Sequence, residues 1–221
     1  MQLETACFVL YQVVPSFGSM TSTRPISIVL LAAGLGKRMP SLKPLLPFRG
    51  KPMIGHALEN VISQPVAERI LVTGHEATSI YQLVQGLPVW VIYNNDYLSG
   101  LGSSLAAGIR QASLKTRGYL IWLADMPLLE SLPVLHLIDE FLTRMESGQP
   151  VICRPVYDQQ PGHPVLFSAH FRKELSVLTG DEGARDIIRR NRHALINIPW
   201  HNSSCLVDLD TPEDIRSWDL Q

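Results

Sequence analysis

The chain of 221 residues is short of the features that mark several protein classes. It has three cysteines, Cys7, Cys153 and Cys205, an odd number at wide spacing with no C-x-x-C pair. A disulfide framework and a zinc knuckle both need a different pattern, so reduced thiols in a cytoplasmic setting are the expectation. Net charge is nearly absent: Lys+Arg 19 against Asp+Glu 20 gives −1. Sequence-independent nucleic-acid binding draws its affinity from neutralised phosphates and wants a basic chain, so no nucleic-acid partner is expected. No apolar run approaches the ~20 residues that cross a bilayer, and no membrane partner is expected. The longest, at 26–35, ends in glycines and reads as a buried strand. There is no internal repeat, low-complexity tract, charge block or linker at which to divide the chain.

What is present suits a folded α/β protein. Hydrophobic residues make up 46% and charged residues 18%, too apolar for intrinsic disorder. The length fits one domain with an appendage. Residues 1–22 are apolar but contain Glu4 and no Lys or Arg, so they lack the positive start of a secretory signal. They read as a poorly ordered extension, with Met20 as an alternative start and residues 23–221 as a single domain.

Apolar runs and breakers predict strands at 26–32, 69–73, 89–93 and 119–124, with another beginning at 151–153. Helices are predicted from Pro52 to residue 63, and at 76–85, 103–114, 132–146 and 184–190, with a last one after Pro212. Gln160-Pro161-Gly162 reads as a turn. Strands alternating with helices, and apolar throughout, imply a mostly parallel central sheet covered on both faces, a three-layer Rossmann-like α/β fold. Ligands in such sheets sit beyond the carboxyl ends of the strands. That directs attention to residues 33–43, Gly74-His75, residues 94–104 and Asp125-Met126-Pro127.

The first of these loops combines glycines with cations. Gly34 and Gly36 permit close backbone approach, and Lys37, Arg38 and Lys43 place positive charge nearby, which is what phosphates require. Two phosphate motifs are excluded. A Walker A loop needs glycine where Leu31 stands, and a dinucleotide fingerprint needs a third glycine where Met39 stands.

The whole string is more specific than its glycines. L-A-A-G-L-G-K-R-M at 31–39, then Lys43, L-L-P at 45–47 and G-K-P-M at 50–53 resemble the signature of nucleotidyltransferases with a glycosyltransferase-A-like fold. Further strings narrow the resemblance. They are Asn95 to Gly100 followed by Ser103-Ser104-Leu105 and Gly108; Gly162-His163-Pro164; the segment 180–185 with Asp181 and Arg185; and D-L-D-T-P-E-D at 208–214. Together they resemble the molybdenum cofactor cytidylyltransferases, over residues 27–218.

The resemblance implies a Mg²⁺-dependent transfer of CMP from CTP to the terminal phosphate of molybdopterin, with release of pyrophosphate. Leu31, Ala32, Ala33, Gly34, Gly36, Lys37, Arg38, Lys43, Gly74, Asn95 and Ser104 would hold the nucleotide. Arg38 would contact the β- and γ-phosphates, and Lys43 would stabilise the α-phosphate. Relatives that use GTP carry glycine in place of Ala33, which favours CTP. Gly162, His163, Pro164, Asp181 and Arg185 would face the acceptor. A molybdoenzyme or insertion chaperone would be the recipient of the product.

Asp125 ends an apolar strand, where a carboxylate suits Mg²⁺; a turn or cap before Pro127 is the structural alternative. Asp208 is the second candidate metal ligand. Asp210 looks like the N-cap of a helix with proline at its first position. His163 sits between Gly162 and Pro164, where it either orients a ligand or packs its own turn. His56, His75, His170 and His201 show no metal spacing. Trp90, Trp122, Trp200 and Trp218 read as core or interface residues. Alternative readings keep the transfer but change the base to GTP or the acceptor to a sugar 1-phosphate, or assign a nicotinamide-dependent oxidoreductase. A non-enzymatic cofactor binder is disfavoured by Lys43, Asp125 and Asp208 occurring together.

Overall fold

The computed structural model describes residues 23–34, 43–209 and 211–219. The expected extension at 1–22 lies outside them, as do Gly36, Lys37, Arg38 and Asp210. In chain order the elements are β1 (Arg24–Ala32), β2 (Pro47–Phe48), β3 (Lys51–Pro52), α1 (Met53–Ser63), β4 (Val66–Thr73), α2 (Ala77–Val84), β5 (Trp90–Tyr93), α3 (Leu101–Gln111) and β6 (Gly118–Leu123). There follow α4 (Ser131–Arg144), β7 (Ile152–Tyr157), β8 (Gln160–Pro161), β9 (Val165–Ser168), α5 (Arg172–Leu175), α6 (Arg185–Arg190), β10 (Leu195–Pro199) and α7 (Pro212–Asp219).

The sheet order is β10-β7-β9-β6-β1-β4-β5. β5, β4, β1 and β6 run parallel, β9 is antiparallel to β6 and β7, and β10 is parallel to β7. Helices flank this mostly parallel sheet, as the alternation of elements implied.

β1 shows why the fold has three layers. Successive side chains of a strand point to opposite faces. Ile26, Ile28, Leu30 and Ala32 pack in one core with Ile54, Leu58, Ile80, Leu137 and Phe141. Val29, Leu31 and Ala33 pack in the other with Leu105, Ile109, Phe171 and Ile187. α3 approaches the sheet closely because its sequence is small: a methyl at Gly108 would overlap Val29 Cγ1 and lie 3.0 Å from Val72 Cγ2. Arg69, buried on β4, donates to the carbonyls of Val61 and Gln64 and so closes the end of α1.

Four details differ from the sequence reading. Pro52 belongs to β3 and precedes the first helical residue, Met53, whose N–H donates to Leu46 O. The turn lies at Asp158 and Gln159, both with positive φ (46° and 61°), and Gln160–Pro161 is the returning strand. Two consecutive left-handed residues match the right-handed twist of the flanking strands. Thr211 caps α7: its Oγ1 accepts from Asp214 N–H while Asp214 Oδ2 accepts from Thr211 N–H. With Pro212 in the first turn, this reciprocal pair puts Thr211 at the N-cap, and Asp210 lies outside the described residues. Trp122 and Trp200 are buried, but Trp90 stands 37% exposed on the edge strand β5.

Candidate functional site

The carboxyl ends of β1, β4, β5 and β6 lie side by side, and the loops leaving them hold most of the candidate residues. The ladder continues past the strands: Ala124 N–H donates to Leu31 O at 3.1 Å, and Asn94 N–H to Thr73 O at 2.9 Å. Leu31, Ala32 and Ala33 are buried in the two cores, so their side chains are committed to packing. What they can offer a ligand is backbone. Gly34 is exposed, and a methyl there would meet none of the described residues within 4 Å. Gly74 is buried against Ala33 O and Tyr97; a methyl there would lie 2.5 Å from Tyr97 Cβ and 2.9 Å from Ala33 O. The β1 and β4 loops therefore meet through a contact only glycine allows. Tyr97 also neighbours His75 and Tyr93, at 6.3 and 6.4 Å between ring centroids.

Lys43 and Asp125, 82 residues apart, meet at this edge. Lys43 Nζ lies 2.6 Å from Asp125 Oδ2, and the Lys43 side chain is only 9% exposed. A buried ammonium needs such a partner. The other carboxylate oxygen, Asp125 Oδ1, is buried without a hydrogen-bond partner among the described residues. Leu209 N–H donates to Asp125 O at 3.1 Å, which brings the exposed Asp208 beside the same loop. Among the described residues no group of three or more His, Cys, Asp or Glu forms a ready metal cage. Mg²⁺ is commonly held by one or two carboxylates with phosphate oxygens completing the shell, and an orphaned carboxylate oxygen fits that demand.

The Gly162-His163-Pro164 turn packs on the Cys205 segment. His163 N–H donates to Cys205 O at 2.8 Å, and a methyl at Gly162 would lie 2.8 Å from the Cys205 carbonyl carbon. The His163–Pro164 peptide bond is cis. His163 Nδ1 is buried without a hydrogen-bond partner among the described residues. Burial holds the imidazole pKa below its ordinary value, Asp125 pulls it upward and Arg185 lowers it. His163 therefore lies within electrostatic reach of both residues.

Asp181 and Arg185 are exposed. The loop carrying Asp181 docks on the start of α3: Gly102 N–H donates to Gly180 O at 2.8 Å, and a methyl at Gly100 would overlap Asp181 Oδ1 and Gly180. Asn95 is exposed, whereas its neighbour Asn94 is 4% exposed and bonded to both Ser103 and Ser104. Asn94 thus anchors the first turn of α3, and Asn95 is the exposed member of the pair. The ladder bond to Thr73 turns the Asn94 side chain inward and leaves Asn95 outside. Ser104 is buried in the first turn of α3.

Residues 28–195 match the family described as MobA-like NTP transferase domain. The chain belongs to this family. Its sheet and helices agree with solved nucleotidyltransferases of glycosyltransferase-A-like fold, and it is a nucleotidyltransferase. Among curated relatives, nicotine blue oxidoreductase from Paenarthrobacter nicotinovorans is 32% identical over 190 residues, covering 85% of this chain and 93% of that protein. Molybdenum cofactor cytidylyltransferase from Escherichia coli (strain K12) is 26% identical over 190 residues, covering 86% and 93%. The crystal structure of Rv0371c from Mycobacterium tuberculosis H37Rv superposes with a TM-score of 0.78 at 25% identity, covering 90% of this chain and all of that one. A manganese complex of Rv0371c gives 0.73 at 25% identity, covering 89% of this chain and 98% of that one. Among the described residues no helix is long and apolar enough to cross a membrane.

Proposed function

We propose that this nucleotidyltransferase moves CMP from CTP onto the terminal phosphate of a molybdopterin-type acceptor and expels pyrophosphate. The observation that carries the reading is the buried Lys43 against Asp125 at the ligand edge of the sheet, with Asp125 Oδ1 left over. Two anions must approach each other in this reaction. A cation and a carboxylate fixed side by side serve charge of both signs: Lys43 toward the α-phosphate, Asp125 toward a divalent ion.

The reaction is an in-line attack. An oxygen of the acceptor phosphate bonds to the α-phosphorus of CTP, and the bond from that phosphorus to the pyrophosphate oxygen breaks. A phosphate monoester has its second pKa at about 6, so the nucleophile is already ionised at neutral pH. The protein then has to position and neutralise rather than remove a proton. Lys43 would neutralise charge on the α-phosphate. Backbone from Leu31 to Gly34, with Gly74, Asn95 and Ser104, would hold the nucleoside. Gly162, His163, Pro164, Asp181 and Arg185 would face the acceptor. Gly36, Lys37 and Arg38 complete the proposed phosphate loop. Asp125 and Asp208 would hold Mg²⁺, which when bound screens repulsion between phosphate oxygens. Ala33 in place of glycine favours CTP over GTP.

The 32% identity to nicotine blue oxidoreductase supports a second reading, a nicotinamide-dependent reduction on the same scaffold. Met39 at the third glycine position of the dinucleotide fingerprint weighs against it. Thermal shifts with Mg²⁺ plus CTP, GTP, ATP or NADPH separate the readings. A ligand at 100 times its dissociation constant adds about 2.7 kcal/mol, on the order of 5–10 °C at this size. Preferential stabilisation by Mg-CTP is expected. A response to NADPH alone overturns cytidylyl transfer.

A further inference from the structure

One polar cluster beside β1 has a definite direction. Asn94 Oδ1 accepts from Asp96 N–H at 3.1 Å. Only the amide oxygen can accept, so this bond fixes which way round the Asn94 amide lies. Its Nδ2 therefore faces the first turn of α3, where it donates to Ser103 Oγ at 2.9 Å and Ser104 Oγ at 3.0 Å. From there the two serines diverge. Ser103 Oγ lies 2.8 Å from the carbonyl oxygens of both Asp96 and Gly100, which share its one proton. Ser104, 4% exposed, accepts from Asn94. Among the described residues Ser104 Oγ accepts from Asn94 and donates to none, so its single hydroxyl proton is uncommitted there.

Its place in the fold says which ligand. Gly108 lies against Val29 of β1 and Val72 of β4. Ser104 is one helical turn, about 5.4 Å, nearer the start of α3. It therefore stands toward the carboxyl ends of those strands, the edge at which the nucleotide is proposed to sit.

We propose that Asn94 is a positioning residue: by occupying a lone pair of Ser104 Oγ, it holds that hydroxyl as a hydrogen-bond donor to an oxygen of the bound nucleoside. The inference rests on the nucleotidyl-transfer reading. It goes further in giving the bond a polarity and in giving Asn94 a task beyond anchoring α3. Asn94→Asp tests the polarity. Aspartate has the same shape and still accepts from Asp96 N–H, but it cannot donate. Ser104 must then donate to the new carboxylate and turn its lone pairs to the nucleoside.

The experiment is calorimetric titration of the full chain with Mg-CTP, alongside thermal melts of each variant. N94D and Ser104→Ala are each expected to weaken binding about tenfold, the worth of one buried hydrogen bond. The double variant is expected to bind no more weakly than S104A, because Asn94 acts through Ser104. N94D binding within twofold of wild type, or effects that multiply in the double variant, overturn the assignment. A purely structural role for Asn94 would lower the melting temperature and leave the coupling absent. Should N94D not fold, S104A against Ser103→Ala decides. S104A is expected to lose tenfold and S103A less than twofold, and equal or reversed losses overturn the proposal. Wild-type protein that binds neither Mg-CTP nor Mg-GTP overturns the transferase reading itself, an outcome distinct from all of these.

Discussion

Asp125→Asn is the substitution in which structure and chemistry can be separated most cleanly. Two unit charges 2.6 Å apart attract by about 6 kcal/mol gross at an effective dielectric of about 20. Desolvation absorbs most of that, because the Lys43 side chain is 9% exposed and that of Asp125 28%. The amide also brings an NH2 group that has no good place. Against Lys43 Nζ it opposes donor to donor. In place of Oδ1 it leaves a buried donor without a partner, where the carboxylate had a buried acceptor without one. Either arrangement costs roughly 1–3 kcal/mol. A net destabilisation of about 2 kcal/mol lowers the melting temperature by about 4–8 °C in a chain of this size. The activity loss is expected to be far larger, at least about a thousandfold in pyrophosphate release, or roughly 4 kcal/mol of transition-state stabilisation. Far-ultraviolet circular dichroism should confirm an unchanged fold, melting curves give the first number and a coupled pyrophosphate assay the second. Folded D125N that turns over within tenfold of wild type would remove Asp125 from the mechanism.

Other perturbations have signs that follow from the packing. Gly55 sits inside α1 with only an ordinary contact, 3.6 Å to Lys51 Cδ, so Gly55→Ala should stabilise by about 0.5–1 kcal/mol. Gly108→Ala meets Val29 and Val72 and should destabilise by roughly 1–3 kcal/mol despite its better helix propensity; melting curves that move both variants the same way would contradict this packing. Burial pushes the thiols of Cys153 up to about 12 and Cys205 up to about 11. Both folded values lie above the unfolded value, so this stability is present below about pH 8.5 and lost as pH rises through 11–12. The melting temperature should fall above pH 9, and the fall should shrink in Cys153→Ala. Both cysteines should also resist alkylation at pH 8 until the chain unfolds, which mass spectrometry of the labelled peptides would show. Asp214→Ala removes half of the Thr211 cap and should cost about 1 kcal/mol in the local stability of α7, measurable as faster amide exchange at residues 212–215.

The parts of the fold legible in the sequence were those written locally. The unbroken apolar run of β1 announced burial on both faces, and Gly34, Gly74 and Asp125 do follow the carboxyl ends of β1, β4 and β6. Long-range pairing was not legible. Val165–Ser168 is only four residues, and nothing local says that it lies antiparallel between β6 and β7. The Asp158–Gln159 turn escaped notice because it reaches positive φ without a glycine. Asn94 and Asn95 are chemically identical; only the ladder bond to Thr73 decides which one turns inward. In the same way, Gly100 and Gly102 read as a loosely punctuated loop. The contact that requires them comes from Thr179 and Gly180, nearly 80 residues later in the chain.

The central claim is that Lys43, Asp125 and the strand-end backbone serve transfer of a nucleotidyl group from CTP to a phosphate acceptor. The most direct measurement is pyrophosphate release by the full chain from Mg-CTP, with molybdopterin as acceptor, run beside NADPH oxidation under the same conditions. The account expects acceptor-dependent pyrophosphate release that exceeds the rate with Mg-GTP, and no acceptor-independent consumption of NADPH. Steady NADPH oxidation with no pyrophosphate from any Mg-nucleotide would contradict it.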